Sequence, residues 1–130
     1  MNRRTTILII CLIVLVIGGA LIFGLNQNKA ASDACLGAKG TLYQVTIQNN
    51  QVSATTIQAH LCNQLTIINR DNVVREIAFG VHSHHDAYDG VTEKILTQNQ
   101  SLTVTLNSLG SFRWHDHLHD EVQGTFTVNK

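Results

Sequence analysis

The chain has no proline, few aromatic residues (5%) and few charged ones (14%). It has no internal repeat and no low-complexity tract, which leaves no proline-rich or compositionally biased linker. Met1 is the only methionine, so no thioether cluster is available for a soft metal ion. Basic and acidic residues number 9 each and the formal net charge is zero. Without a basic patch there is no electrostatic footprint for nucleic acid. No Ser-His-Asp arrangement and no convincing nucleophile stand out, so the sequence does not read as an enzyme.

What is there begins with one long apolar run. Residues 5–25, TTILIICLIVLVIGGALIFGL, carry no charge. A bilayer-spanning helix needs about 20 such residues. Arg3 and Arg4 precede the run and no positive charge follows until Lys29. The positive-inside rule then leaves residues 1–4 in the cytoplasm and puts the rest on the extracytoplasmic side, in the periplasm or at the cell surface. A cleaved signal peptide has a core of only about 7–15 residues and a small-residue cleavage site. Ala30-Ala31-Ser32-Asp33-Ala34 supplies small residues without the A-x-A pattern. The run therefore reads as a transmembrane signal anchor, with the membrane as a partner, and residues 26–40 as a polar linker. The part beyond the run carries about −2 with neutral histidines.

Of three cysteines, Cys11 lies in the apolar run, and Cys35 and Cys62 lie beyond it. Two thiols in a small exported domain pair as a rule. A Cys35–Cys62 disulfide would close a loop of about 28 residues and stabilise the domain by roughly 3.5 kcal/mol. The rival reading has a thiol binding copper; neither cysteine adjoins a histidine run, although His60 is two residues from Cys62.

Residues 41–130 have the period of strands. Tyr43, Val45 and Ile47 alternate with polar residues, Asn49-Asn50 is a turn signal, and residues 55–59, 64–69, 73–81, 93–96 and 101–106 read as further strands. Residues 80–90 read as a polar loop holding His82, His84 and His85, and Gly110 opens a final hairpin. Seven or eight short strands without a helical period predict an all-β sandwich. The densest chemistry lies near the end, where His115, His117 and His119 fall within five residues, followed by Asp120 and Glu121.

Three stretches together resemble the cupredoxins, the plastocyanin–azurin type of copper sandwich. They are QLTIINRD (64–71), REIAF (75–79) and GSFRWHDHLHDEVQGTFTV (110–128). The resemblance implies a Greek-key β-sandwich over residues 41–130, preceded by the single transmembrane helix. It also implies where a blue copper site would lie. Such a site uses two His, a Cys thiolate and a weak axial Met. By the resemblance the first His position falls on Arg75, the thiolate on Asp116, the second His on His119 and the Met on Val122. Only His119 matches, so blue-copper electron transfer is excluded.

Parity then divides the remaining side chains. Arg75 shares a strand face with Ile77 and Phe79, and Asp116 with Phe112 and Trp114, so both point inward. They are expected to form a structural ion pair in the old copper pocket. Glu76, His115 and His117 take the opposite face, near the His82–His85 segment. His82, His84, His85, His115, His117 and His119, with Glu76 completing the shell, are the candidate ligands for a transition metal, copper first and zinc second. The expected function is metal handling by a membrane-anchored extracytoplasmic domain. The other reading is a metal-free binding or assembly module with a structural or pH-sensitive histidine cluster.

Overall fold

Alternating apolar residues make two sheets whose inner faces meet. The computed structural model describes residues 35–130. The first sheet holds β1 (Leu42–Gln48), β2 (Gln51–Val52), β4 (Gln64–Asn69) and β8 (Ser101–Thr105), in the order β2-β1-β4-β8. β1 and β4 run parallel, and the other pairs are antiparallel. The second sheet holds β3 (Thr56–His60), β10 (His119–Asn129), β9 (Gly110–Asp116) and β5 (Arg75–Val81), paired in that order. The far edge of β5 is divided between two partners. β7 (Glu93–Leu96) pairs along Arg75–Ala78, and β6 (His84–His85) pairs at Gly80 and Val81.

Every second residue of the strands feeds the core, as the period of two requires. Val45, Ile47, Leu65, Ile67 and Val104 come from the first sheet, and Ile77, Phe79, Leu96, Trp114, Phe126 and Val128 from the second. Trp114 lies flat enough on β10 that a Cβ at Gly124 would stand 2.6 Å from its Nε1, so only glycine fits there. The Cys35–Cys62 disulfide is formed. It ties the chain before β1 to the turn after β3, and the Asn63 side chain accepts the Thr41 N–H at 2.9 Å alongside it.

The expected strands are present, and two more join them. β2 and β6 are two residues long, too short to show a period. The segment expected as a polar loop over residues 80–90 starts as a tight hairpin, with Val81 opposite His84. Gly80 makes that turn possible. Its φ is +91°, and a Cβ there would meet the His84 carbonyl oxygen at 2.6 Å. The strand expected over 73–81 begins at Arg75, because residues 70–73 form a turn closed by Asn69 Nδ2 donating to the Val73 carbonyl at 2.8 Å. The expected cytoplasmic residues 1–4, the transmembrane run 5–25 and the linker as far as residue 34 lie outside the described residues. Among the described residues no helix is long and apolar enough to cross a membrane.

Candidate metal centre

Adjacent residues on β9 build two different environments, one on each side of the second sheet. Asp116 points inward and is fully buried. Its Oδ2 accepts from Arg75 at 3.0 Å and lies 2.9 Å from His119 Nδ1. Its Oδ1 accepts the backbone N–H of Glu76 at 2.9 Å and of Leu118 at 3.1 Å. Arg75, also fully buried, donates in addition to Asp71 at 2.5 Å and to Asn50 Oδ1.

Asp71 in turn accepts the Asn49 and Asn50 N–H groups of the β1–β2 turn. Asn49 and Asn50 both have positive φ there, which asparagine tolerates better than most residues. Burial pushes the Asp71 carboxyl up, but hydrogen bonds from the Asn49 N–H, the Arg75 guanidinium and the Asn50 N–H outweigh it and hold the group below its ordinary value.

This inner end does not fit a blue copper ion. A guanidinium is always cationic and only donates, so Arg75 offers no lone pair to a metal. No sulfur stands among Arg75, Asp116, His119 and Val122. Two acidic side chains and an asparagine take the two terminal nitrogens of the buried cation instead, while its Nε has no hydrogen-bond partner.

The outer side of the same strands is different. His115, next to Asp116, sits opposite Ala78 of β5, and the His82 and His85 rings of the β5–β6 hairpin stand 5.7 and 5.1 Å from its own. His115 is therefore buried at 5% exposure although it is on the outer face. Neither of its ring nitrogens has a hydrogen-bond partner of good geometry. Burial pushes the His115 imidazole below its ordinary value, and the neighbouring His85, His82 and His117 add to this. The Gly80 carbonyl opposes it. A neutral ring with a free lone pair is the form that binds a metal.

Around this ring stand three others. His82 and His117 stack at 4.5 Å with an 11° tilt, and His85 crosses His117 edge-on at 4.8 Å. His117 is fixed by its backbone N–H donating to the Glu76 carbonyl at 2.7 Å. One ligand atom each from His82, His115 and His117 lie within 4.8 Å of one another. A tetrahedral ion with bonds of about 2.0–2.1 Å sets its donors about 3.4 Å apart. The three rings must therefore draw together to hold an ion, and His82, at the hairpin tip, is about half exposed.

The residues singled out in the sequence thus separate. His82, His115 and His117 converge, and His85 abuts them. His84 lies outside the group, exposed and 3.3 Å from Asp86. His119 belongs to the inner network. Glu76 meets the group through its carbonyl. Two carboxylates join from outside the ligand set, Asp120 at 2.8 Å from His82 Nδ1 and Glu93 at 3.2 Å from His85 Nδ1. Asp120 was legible as a carboxylate beside the histidine run. Glu93 had no sequence signal, because only the pairing of β5 with β7 brings it near.

No protein-family model and no curated protein sequence matches the chain. Solved structures do match in fold. A reduced amicyanin variant superposes with a TM-score of 0.57 at 18% identity, covering 71% of this chain and 85% of that one. The Cu(I) form of another amicyanin variant gives 0.59 at 16% identity, covering 73% and 89%. A purple cupredoxin from Nitrosopumilus maritimus gives 0.57 at 16% identity, covering 66% and 98%. Two sheets in this strand order, a final hairpin carrying the histidines and these superpositions make residues 35–130 a domain of the cupredoxin fold.

Proposed function

We propose that the protein binds one transition-metal ion through His82, His115 and His117, on the outer face of the second sheet, and that it serves in metal handling rather than blue-copper electron transfer. One observation carries this reading. His115 is buried with neither ring nitrogen in a hydrogen bond of good geometry, the Gly80 carbonyl being the one backbone group that acts on the ring, and the ligand atoms of two more histidines lie within 4.8 Å of its own. A buried imidazole without a partner is costly, and an ion would satisfy it. Three imidazoles suit Cu(II), Zn(II) and Ni(II), and Cu(II) leads in intrinsic affinity. The Cu(I) forms of amicyanin that share the fold add support for copper. Zinc is the alternative ion, since three histidines and an open fourth position are one of its known arrangements.

The proposed setting is a membrane-anchored domain outside the cytoplasm, in the periplasm or at the cell surface. The uncharged run 5–25 and the disulfide, a bond of oxidising compartments, support it. No catalytic role is part of the proposal.

The test is titration of the full-length protein in detergent with Cu(II) and Zn(II), followed by calorimetry and, for copper, EPR. The expected result is one ion per chain with an all-nitrogen and oxygen copper signal. A His115→Ala/His117→Ala variant should lose more than about 100-fold in affinity, as removal of two of three ligands demands. Unchanged affinity in that variant, or binding no tighter than a loose histidine peptide, refutes the reading. The second outcome favours a metal-free module, for which the Arg75–Asp116 pair in the inner pocket already speaks.

A further inference from the structure

Building on that metal-binding reading, we propose that Glu93 and Asp120 are the outer carboxylates of the centre and that His85 is a relay rather than a ligand. Together they set which ring nitrogen His117 and His82 offer the ion.

A neutral imidazole has one N–H and one lone pair, and the bond at one nitrogen decides the role of the other. Glu93 Oε2 lies 3.2 Å from His85 Nδ1. A carboxylate only accepts, so His85 carries its proton on Nδ1 and keeps a lone pair on Nε2. That Nε2 lies 3.2 Å from His117 Nδ1. His117 must therefore donate from Nδ1, which frees the lone pair of its Nε2. By an independent route Asp120 Oδ1, 2.8 Å from His82 Nδ1, fixes the proton of His82 on Nδ1. Its Nε2 is then free as well. Neither nitrogen of His115 makes a hydrogen bond of good geometry, and with the Gly80 carbonyl as the acceptor beside the ring one nitrogen is left with its lone pair for the ion.

The same bonds exclude His85 from the ligand set. Both of its nitrogens are engaged, one by Glu93 and one by His117. Binding an ion at His85 Nε2 would break the bond that orients His117. The relay crosses three separate stretches of chain, from Glu93 on β7 to His85 on β6 to His117 after β9, and Asp120 on β10 acts alone on His82. Asp120 lends negative charge directly to a ligand ring and Glu93 does so through His85, which favours a divalent cation. Glu93 and Asp120 are about half and two-thirds exposed. The expected effect is therefore at the low end of the range for such outer partners, about tenfold in affinity for each.

The first experiment needs no metal. Full-length protein with nitrogen-15-labelled histidine is observed by two-bond nitrogen–proton correlation at about pH 8.5, some two units above an ordinary imidazole pKa. His117 and His82 should both appear as Nδ1–H tautomers. Glu93→Ala should release His117 into a mixture, and Glu93→Gln, whose amide oxygen still accepts, should restore it. Asp120→Ala should release His82 and leave His117 unchanged. The second experiment uses Zn(II) alone. Each alanine variant should lose about tenfold in affinity, with X-ray absorption still counting three imidazoles.

A wild-type His117 protonated on Nε2, or one indifferent to Glu93→Ala, overturns the relay. So does a count of four imidazoles that falls to three in His85→Ala. If the tautomers behave as described but wild-type protein binds no Zn(II) or Cu(II), it is the metal-binding reading that fails, and the outer-carboxylate role falls with it while the tautomer assignment stands.

Discussion

Replacing Asp116 by alanine tests whether the inner network holds the sandwich together. The carboxylate is fully buried and serves four donors, namely Arg75, His119 and the N–H groups of Glu76 and Leu118. Removing one partner of a buried ion pair costs about 3–5 kcal/mol, because the other charge stays behind. Here Arg75 keeps Asp71 and Asn50, which moves the charge contribution below that range, to about 2 kcal/mol. The two orphaned backbone N–H groups, both part-buried, add about 1 kcal/mol or less each. The expected loss is about 3–4 kcal/mol on these terms.

Asp116→Asn retains an oxygen for the backbone donors and should lose only the charge share, about 2 kcal/mol. The double variant Arg75→Met/Asp116→Leu removes the pair together, leaves Asp71 to the Asn49 and Asn50 N–H groups, and should recover to within about 2 kcal/mol of the parent. Urea unfolding followed by fluorescence reads all three, since Trp114 is the only tryptophan and lies buried two residues from Asp116. A loss below about 1 kcal/mol in Asp116→Ala would refute the reasoning. So would a double variant whose loss equals the sum of the single ones, since independent sites add.

Acid should act on the same network through Asp71. Its folded-state carboxyl lies below the ordinary 3.8, so its contribution to stability is complete above that value and is lost as pH falls through the lower folded value. Asp71→Asn should flatten that part of the stability–pH curve, read by urea midpoints between about pH 5 and 2; an unchanged curve would contradict the assignment. Opening the disulfide with Cys35→Ser/Cys62→Ser should cost about 3.5 kcal/mol of unfolding free energy, the loop-closure value for a separation of 27. A loss under about 1 kcal/mol would mean that residues 35–40 are already held without it.

Strand parity made much of this legible. A period of two is enough to send Arg75 and Asp116 inward and His115 outward once β5 and β9 are recognised as strands. The partners supplied by turns were not legible. Asn50 and Asp71 meet Arg75 only because the β1–β2 turn and the residues after β4 come to the same end of the sandwich. Two-residue strands leave no periodic trace, so the β5–β6 hairpin read as loop. The burial of His115 leaves no trace in the sequence, since its cover is that hairpin. The convergence of His82 with His115 and His117 was expected only as a folding-back of a loop. Its tightness depends on the φ of Gly80, which sequence alone does not specify.

The ion pair also bears on how the strands choose their alignment. β9 pairs with β5 so that Ile77 faces Asp116 and Ala78 faces His115. A slip of one residue would exchange the two faces of β9. It would carry Asp116 out into solvent and bring imidazole into the core, while leaving Arg75 as a buried cation short of one of its two counter-charges. The same slip would turn Trp114 out of the core, and the abandoned charge adds its own penalty to that loss. Arg75 and Asp116 thus work as a lock on strand alignment, and the histidines on the far side fall into place because that lock has closed.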